Sequence, residues 1–285
     1  MTSCPVQSTS TSTLRFRTPL PQNPEAPLFV FLPGMDGTGE LLRLQLESLG
    51  MVFDIRCLVI PPDDLTNWDE LACEVITLIL HELERNPRQQ VYLCGESFGG
   101  CLSLKVAQKS AEMTKPNGSP LLDYLTLVNP ASALGRVGWL HSLSGVARWL
   151  PHPTFAVGCY ILFPFLGALH RMPPEVAQEL LRATQSISPE SAYWRVDLIR
   201  SFQMSPQELN KIEIPTLVVA SGGDRLLPSV PEAQHLIQHI PTAEMHVLPY
   251  SGHTCLLEPE VHLHDILAEH GALDGLVYKQ TIASP

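Results

Sequence analysis

Three side chains, far apart in the sequence, have the types and the order that nucleophilic acyl chemistry requires. Ser97 stands in "VYLCGESFGG" (Val91–Gly100), a G-x-S-x-G pattern that follows an apolar run and opens a helical one. A serine hydroxyl at its ordinary pKa is a weak nucleophile, so it needs a base to take its proton and an acid to orient that base. Asp224 in "PTLVVASGGDRLLPS" lies 127 residues after Ser97, and His253 in "EMHVLPYSGHTCLLEP" follows 29 residues later. Serine, then acid, then histidine is the chain order of a nucleophile elbow. In such an elbow the serine sits on a sharp strand-to-helix turn where strand and helix nearly touch. The positions two before and two after must therefore be small, and Gly95 and Gly99 occupy them.

G-x-S-x-G alone is weak, with roughly 0.1 chance matches expected in a chain of this length. Its context adds weight. A tetrahedral intermediate needs donors for its oxyanion, and "FLPGMDGTG" (Phe31–Gly39) is a glycine-rich turn after an apolar strand. Such a loop supplies one backbone N–H and the residue after the nucleophile supplies the other. We assign these donors to Met35, with Asp36 as its neighbour, and to Phe98. The same glycines do not form a nucleotide site, because G-x-x-x-x-G-K-[ST] and G-x-G-x-x-G are both absent. Competing residues lack context. His246 falls inside a strand pattern, His81 has no second histidine at zincin spacing, and Asn129, at the other strand end where an acid could sit, is not a carboxylate.

These residues need elements to hold them. Leu28–Leu32, Ile55–Ile60, Gln90–Cys94, Tyr124–Asn129, Pro215–Ala220 and Glu244–Pro249 read as strands, several of them apolar on both faces, as in a covered parallel sheet. Helical patterns over Asp69–Arg85, Phe98–Ala111 and Pro231–His239 alternate with them, and Asn67 with Glu70 resembles a capping pair. This alternation predicts an α/β fold with a mostly parallel central sheet flanked by helices. From Pro130 to about Ser205 the alternation stops. That stretch is helical in pattern, punctuated by prolines, and holds nine of the 19 aromatic residues. We expect a tail or short first strand over 1–27, a core over 28–129 and 206–285, and a helical cap inserted over 130–205. Within the cap, Phe155–Leu169 is apolar on every side of a helix, so it should be buried or face lipid. Leu162, Phe163 and Phe165 are its candidate acyl-pocket residues, and peripheral membrane contact through the cap is the alternative.

Composition narrows the classes. The chain has 285 residues, 45% of them hydrophobic, and a net charge of −11 with no basic run. That argues against a nucleic-acid partner. Seven cysteines include no C-x-x-C pair, and most sit in apolar runs. We expect a reducing compartment without disulfides or structural zinc. No uninterrupted apolar run reaches the ~20 residues that span a bilayer. The N-terminus lacks a signal core, but it is Ser/Thr-rich, free of acids and carries Arg15 and Arg17. We expect a cytoplasmic protein, or a plastid one if that segment is a transit peptide.

From Leu28 to His270 the chain resembles an α/β-hydrolase. More narrowly, "FVFLPGMDGTGELL", "VYLCGESFGG" and "GHTCLLEP" resemble the esterase, lipase and thioesterase group that includes the phytyl ester synthases of plastids and cyanobacteria. The resemblance implies a serine hydrolase acting on an apolar acyl ester or thioester, without metal or cofactor. It also implies, as an alternative, an acyltransferase that moves a fatty acyl group to a long-chain alcohol such as phytol, peripheral to a thylakoid membrane. Many members carry an acyltransferase-like domain with H-x-x-x-x-D. This chain contains no such motif, so any transfer would fall to the hydrolase domain itself. A binding protein that keeps the fold and an apolar pocket without catalysis is the third class.

Overall fold

The computed structural model describes residues 14–136 and 163–277. Its strands are β1 (Arg15–Arg17), β2 (Leu28–Leu32), β3 (Asp54–Val59), β4 (Val91–Glu96), β5 (Tyr124–Val128), β6 (Thr216–Ser221) and β7 (Ala243–Leu248). They form one sheet in the order β1-β3-β2-β4-β5-β6-β7. β1 is antiparallel to β3, and every other neighbouring pair is parallel. This is the mostly parallel α/β sheet that the alternating pattern predicted, in the α/β-hydrolase arrangement that the resemblance implied.

Alternate residues of a strand face opposite sides of the sheet, and here both sides are covered. Before β4 come the short helix α1 (Leu46–Leu49) and the long helix α2 (Trp68–Arg85), and α3 (Phe98–Ser110) follows β4 directly. Leu28, Val30 and Leu32 of β2 pack in the apolar cluster built with α2 and α3, whereas Phe29 and Phe31 pack with Phe53, Tyr92, Leu256 and Leu267 on the other face. Asn67 starts α2 as expected, its side chain accepting hydrogen bonds from the N–H groups of Asp69 and Glu70.

Between β5 and β6 lie α4 (Pro174–Ser186), α5 (Pro189–Ser201) and α6 (Pro206–Leu209). Each opens on a proline, whose missing N–H costs nothing in a first turn. Ser188 caps α5, and Ser205 with Glu208 forms a capping box on α6. Pro189 therefore starts a helix rather than interrupting one. The last helices are α7 (Ser229–His239), after β6, and α8 (Leu263–Glu269). Leu162 and most of the apolar run from Phe155 lie outside the described residues.

Two expectations change. β4 runs two residues beyond Cys94, with Glu96 paired to Val128. Glycine in a strand suggests its end, but Gly95 is there to admit the helix that crosses it. The expectation of no disulfide is also corrected. Cys73 is disulfide-bonded, while Cys57, Cys94, Cys101 and Cys255 are free thiols. A bridge between distant cysteines leaves no spacing signal, so composition alone could not find it.

Candidate active site

Ser97, Asp224, His253 and Met35 each lie past the C-terminal end of a parallel strand, where ligands gather in open α/β sheets. Ser97 follows β4 with φ 53° and ψ −111°. That backbone costs a non-glycine residue roughly 1–3 kcal/mol and persists only where its surroundings enforce it. Here the Ser97 N–H donates to the Val128 carbonyl at 3.0 Å, and the Ser97 carbonyl accepts from Gly100 and Ala131, both at 3.0 Å. The elbow glycines are sterically required. A Cβ on Gly95 would strike the Gly99 carbonyl, and a Cβ on Gly99 would strike the Leu32 carbonyl.

His253 lies between the other two groups. Its Nε2 is 2.8 Å from Ser97 Oγ, and its Nδ1 is 2.8 Å from Asp224 Oδ2. An ionised carboxylate only accepts hydrogen bonds, so Nδ1 carries the proton and Nε2 is free to accept one from the serine. The side chains of His253 and Asp224 are 3% and 1% exposed, so water does not screen their pairing. Burial raises the Asp224 carboxyl, but it is outweighed by the facing His253 charge and by hydrogen bonds from His253, Ser229 and the Leu227 N–H. The carboxyl stays below its ordinary value, as an anion that orients a histidine must. The Leu226 N–H at 2.8 Å and the Leu227 N–H at 3.0 Å hold its second oxygen.

The histidine loop is braced from two sides. The Gly252 N–H donates to Glu258 Oε1 at 2.8 Å, and Arg171 pairs with the same carboxylate at 2.6 Å. The Thr254 N–H donates to the Leu166 carbonyl at 2.9 Å, which seats residues 163–168 against the loop. Of the expected pocket residues, Phe163 packs beside the cluster of Leu41, Met172, Val176, Leu180 and Leu257, and Phe165 is 46% exposed.

The loop after β2 brings Gly34 against Ser97, since a Cβ built on Gly34 would lie 3.8 Å from Ser97 Cβ. The Gly34 carbonyl accepts from the Gly37 N–H at 3.1 Å, and Asp36 accepts from the Thr38 N–H at 2.9 Å. The N–H groups of Met35 and Phe98 have no acceptor among the described residues. Among those residues, too, no group of three or more metal-ligating side chains converges.

Three participants were not legible as such. Asn129, noted only as an empty acid position, is fully buried with φ 43°. Its Nδ2 donates to the His253 carbonyl at 2.6 Å and its Oδ1 accepts from the Ser221 N–H at 2.8 Å, so it ties β5 to β6 and to the histidine loop. Glu96, beside Ser97 in the chain, is 3% exposed, and its Oε1 has no hydrogen-bond partner. Burial first, and then the charge of Asp36, push its carboxyl up to about 8. Arg195 on α5 reaches the loop after β2; no motif contains it.

Fold and site together define an α/β hydrolase. The alpha/beta hydrolase family model matches residues 29–263, and the chain belongs to that family. Among curated proteins, the chain is 31% identical over 270 residues to phytyl ester synthase 1, chloroplastic, of Arabidopsis thaliana. That match covers 87% of this chain but only 37% of the relative, so the chain spans well under half of that protein's length. Solved structures share the fold. The enol-lactonase from Burkholderia xenovorans LB400 superposes with a TM-score of 0.72 at 17% identity, covering 90% of this chain and 95% of that one. A thermophilic esterase from Thermogutta terrifontis gives 0.67 at 19% identity, covering 92% and 96%. No helix among the described residues is long and apolar enough to cross a membrane.

Proposed function

We propose that the chain is a serine hydrolase of apolar acyl esters or thioesters, working through a covalent acyl-enzyme on Ser97. The observation that carries it is the unbroken contact from Asp224 through His253 to Ser97 Oγ, 2.8 Å at each step. Ser97 Oγ attacks the acyl carbonyl carbon as its proton passes to His253 Nε2, and Asp224 stabilises the imidazolium without itself taking a proton. The carbonyl oxygen becomes an anion held by the Met35 and Phe98 N–H groups. When it collapses, the bond to the leaving alcohol or thiol breaks and His253 returns the proton to that group. Water, deprotonated by His253, then releases the acid.

A second reading keeps the acyl-enzyme and replaces water with a long-chain alcohol such as phytol. It is favoured by the 31% identity to phytyl ester synthase 1 over most of this chain. Either way the acyl chain would lie along the segment of Leu162, Phe163 and Phe165, and the exposed Phe165 is where a lipid surface would meet the protein.

Purified protein incubated with p-nitrophenyl esters from C2 to C16, with and without phytol, tests both readings. Free acid with rising kcat/KM at longer chains fits the hydrolase, and phytyl ester in preference to acid fits the transferase. Absence of both products at every length would refute an acyl-transferring enzyme. Each buried CH₂ contributes roughly 0.8 kcal/mol, so four more carbons should favour the longer ester by ~10²-fold, and polar replacement of Phe163 and Phe165 should flatten that slope.

A further inference from the structure

Arg195 is 1% exposed, although it comes from a helix inserted between β5 and β6. Its Nη1 donates to the Met35 carbonyl at 2.6 Å and its Nη2 to the Pro61 carbonyl at 2.7 Å. The guanidinium carbon also lies 6.0 Å from the centre of the Phe98 ring, within cation–π range. That ring stacks on Trp68 at 4.6 Å. One side chain therefore touches both residues whose N–H groups face an oxyanion in the proposed reaction.

Each contact fixes something specific. In a trans peptide the carbonyl and the N–H point in opposite directions, and neither turns without the other. The peptide before Met35 is held through the Gly34 carbonyl by the Gly37 N–H. The peptide after Met35 is held through the Met35 carbonyl by Arg195. The first plane carries the Met35 N–H itself, and Arg195 anchors the second, so that Met35 cannot swing the first out of place. The loop is shaped around this contact. A Cβ on Gly37, which has φ +70°, would meet Arg195 Nη1 at 2.6 Å, and the Gly37 carbonyl accepts from the Ile60 N–H at 2.8 Å. The two carbonyls bound by the fork belong to the loops after β2 and β3, so a planar two-armed cation joins them where a single ammonium would reach one. Burial lowers the guanidinium pKa, and the charges of Asp64 and Asp36 oppose that shift.

We propose that Arg195 is the positioning residue of the oxyanion site: from the inserted helix α5 it locks the Met35 peptide and the Phe98 ring, so that both N–H donors point at one place before substrate arrives. This rests on the serine-hydrolase reading above. It makes the inserted helices part of the catalytic apparatus rather than a roof over it.

The test compares Arg195→Lys and Arg195→Met with the wild type. Folded active enzyme is first counted by stoichiometric titration with a fluorophosphonate. Then kcat and KM for p-nitrophenyl butyrate, and affinity for a trifluoromethyl ketone that forms a tetrahedral oxyanion on the serine, are measured per titrated site. An interaction made only with the oxyanion acts on kcat and not on KM. We expect Arg195→Met to lose ~10²-fold or more in kcat per site, the scale of one lost oxyanion donor, with KM within about twofold and ketone affinity falling in parallel. Arg195→Lys should fall between the two, and it decides the matter alone if Arg195→Met does not fold. A merely structural role would reduce the number of titrated sites and leave kcat per site unchanged, and that result overturns the proposal. So does a change confined to KM. A wild type with no titratable serine would instead overturn the reading of Ser97, and Arg195 with it.

Discussion

Glu96 gives the protein a pH dependence whose sign and slope follow from its surroundings. The carboxyl is buried next to Ser97, one oxygen lacks a partner, and burial with the Asp36 charge raises its pKa from 4.5 to about 8. In the unfolded chain the same group titrates at its ordinary value. Below about pH 4.5 both states hold the proton, and Glu96 adds no pH dependence. Above that the unfolded state releases it while the folded state does not, so the unfolded state is favoured progressively until the folded group also ionises near pH 8. The slope in that window is about 1.4 kcal/mol per pH unit for one proton. Glu96→Gln keeps the shape and cannot ionise. The unfolding free energy of Glu96→Gln minus that of the wild type should rise by roughly 3 kcal/mol between pH 5 and pH 7. Any fixed cost of burying the amide cancels from that difference. Urea unfolding at pH 5, 6, 7 and 8 measures it directly, and Asp36→Asn should narrow the window. A constant difference between variant and wild type across this range would refute the burial argument.

Other residues yield more local expectations. His253→Ala should abolish acyl-enzyme formation, while Asp224→Asn should leave residual turnover about 10⁴-fold down in kcat; stopped-flow bursts with p-nitrophenyl esters separate the two, and near-normal turnover in Asp224→Asn would mean that another acid orients the base. Asn129→Ala leaves the Ser221 N–H and the His253 carbonyl unpaired in the core and forces a Cβ side chain into left-handed backbone without local support. It should cost roughly 3 kcal/mol of unfolding free energy, and Asn129→Gly should recover about 1 kcal/mol of that in urea titrations.

Much of this organisation was legible because it is periodic or punctuated. The strands could be located from apolar runs ended by glycine or proline, and Ser97, Asp224 and His253 stood out because each follows such a run in a fixed order. What escaped notice depends on contacts between distant segments. Asn129 was visible at a strand end, but only the fold brings Ser221 and the His253 carbonyl to its two sides. Arg195 lies in an ordinary helical pattern, and a sequence holds no sign that its helix will seat the guanidinium between the Met35 and Pro61 carbonyls. Glu96 occupies a variable position of the elbow motif, and its raised pKa comes from burial and from Asp36, 60 positions earlier in the chain. Among the described residues, prolines open helices at Pro174, Pro189 and Pro206 because a first turn has no use for the missing N–H, and serines cap the last two.

The central claim is that Ser97 is the nucleophile of an acyl-enzyme. A fluorophosphonate probe followed by peptide mass spectrometry tests it most directly. Wild type should carry one adduct, on the peptide containing Ser97, and Ser97→Ala should carry none while unfolding at a temperature close to that of the wild type. An adduct on a different serine in Ser97→Ala, or a folded wild type that never reacts, would contradict it.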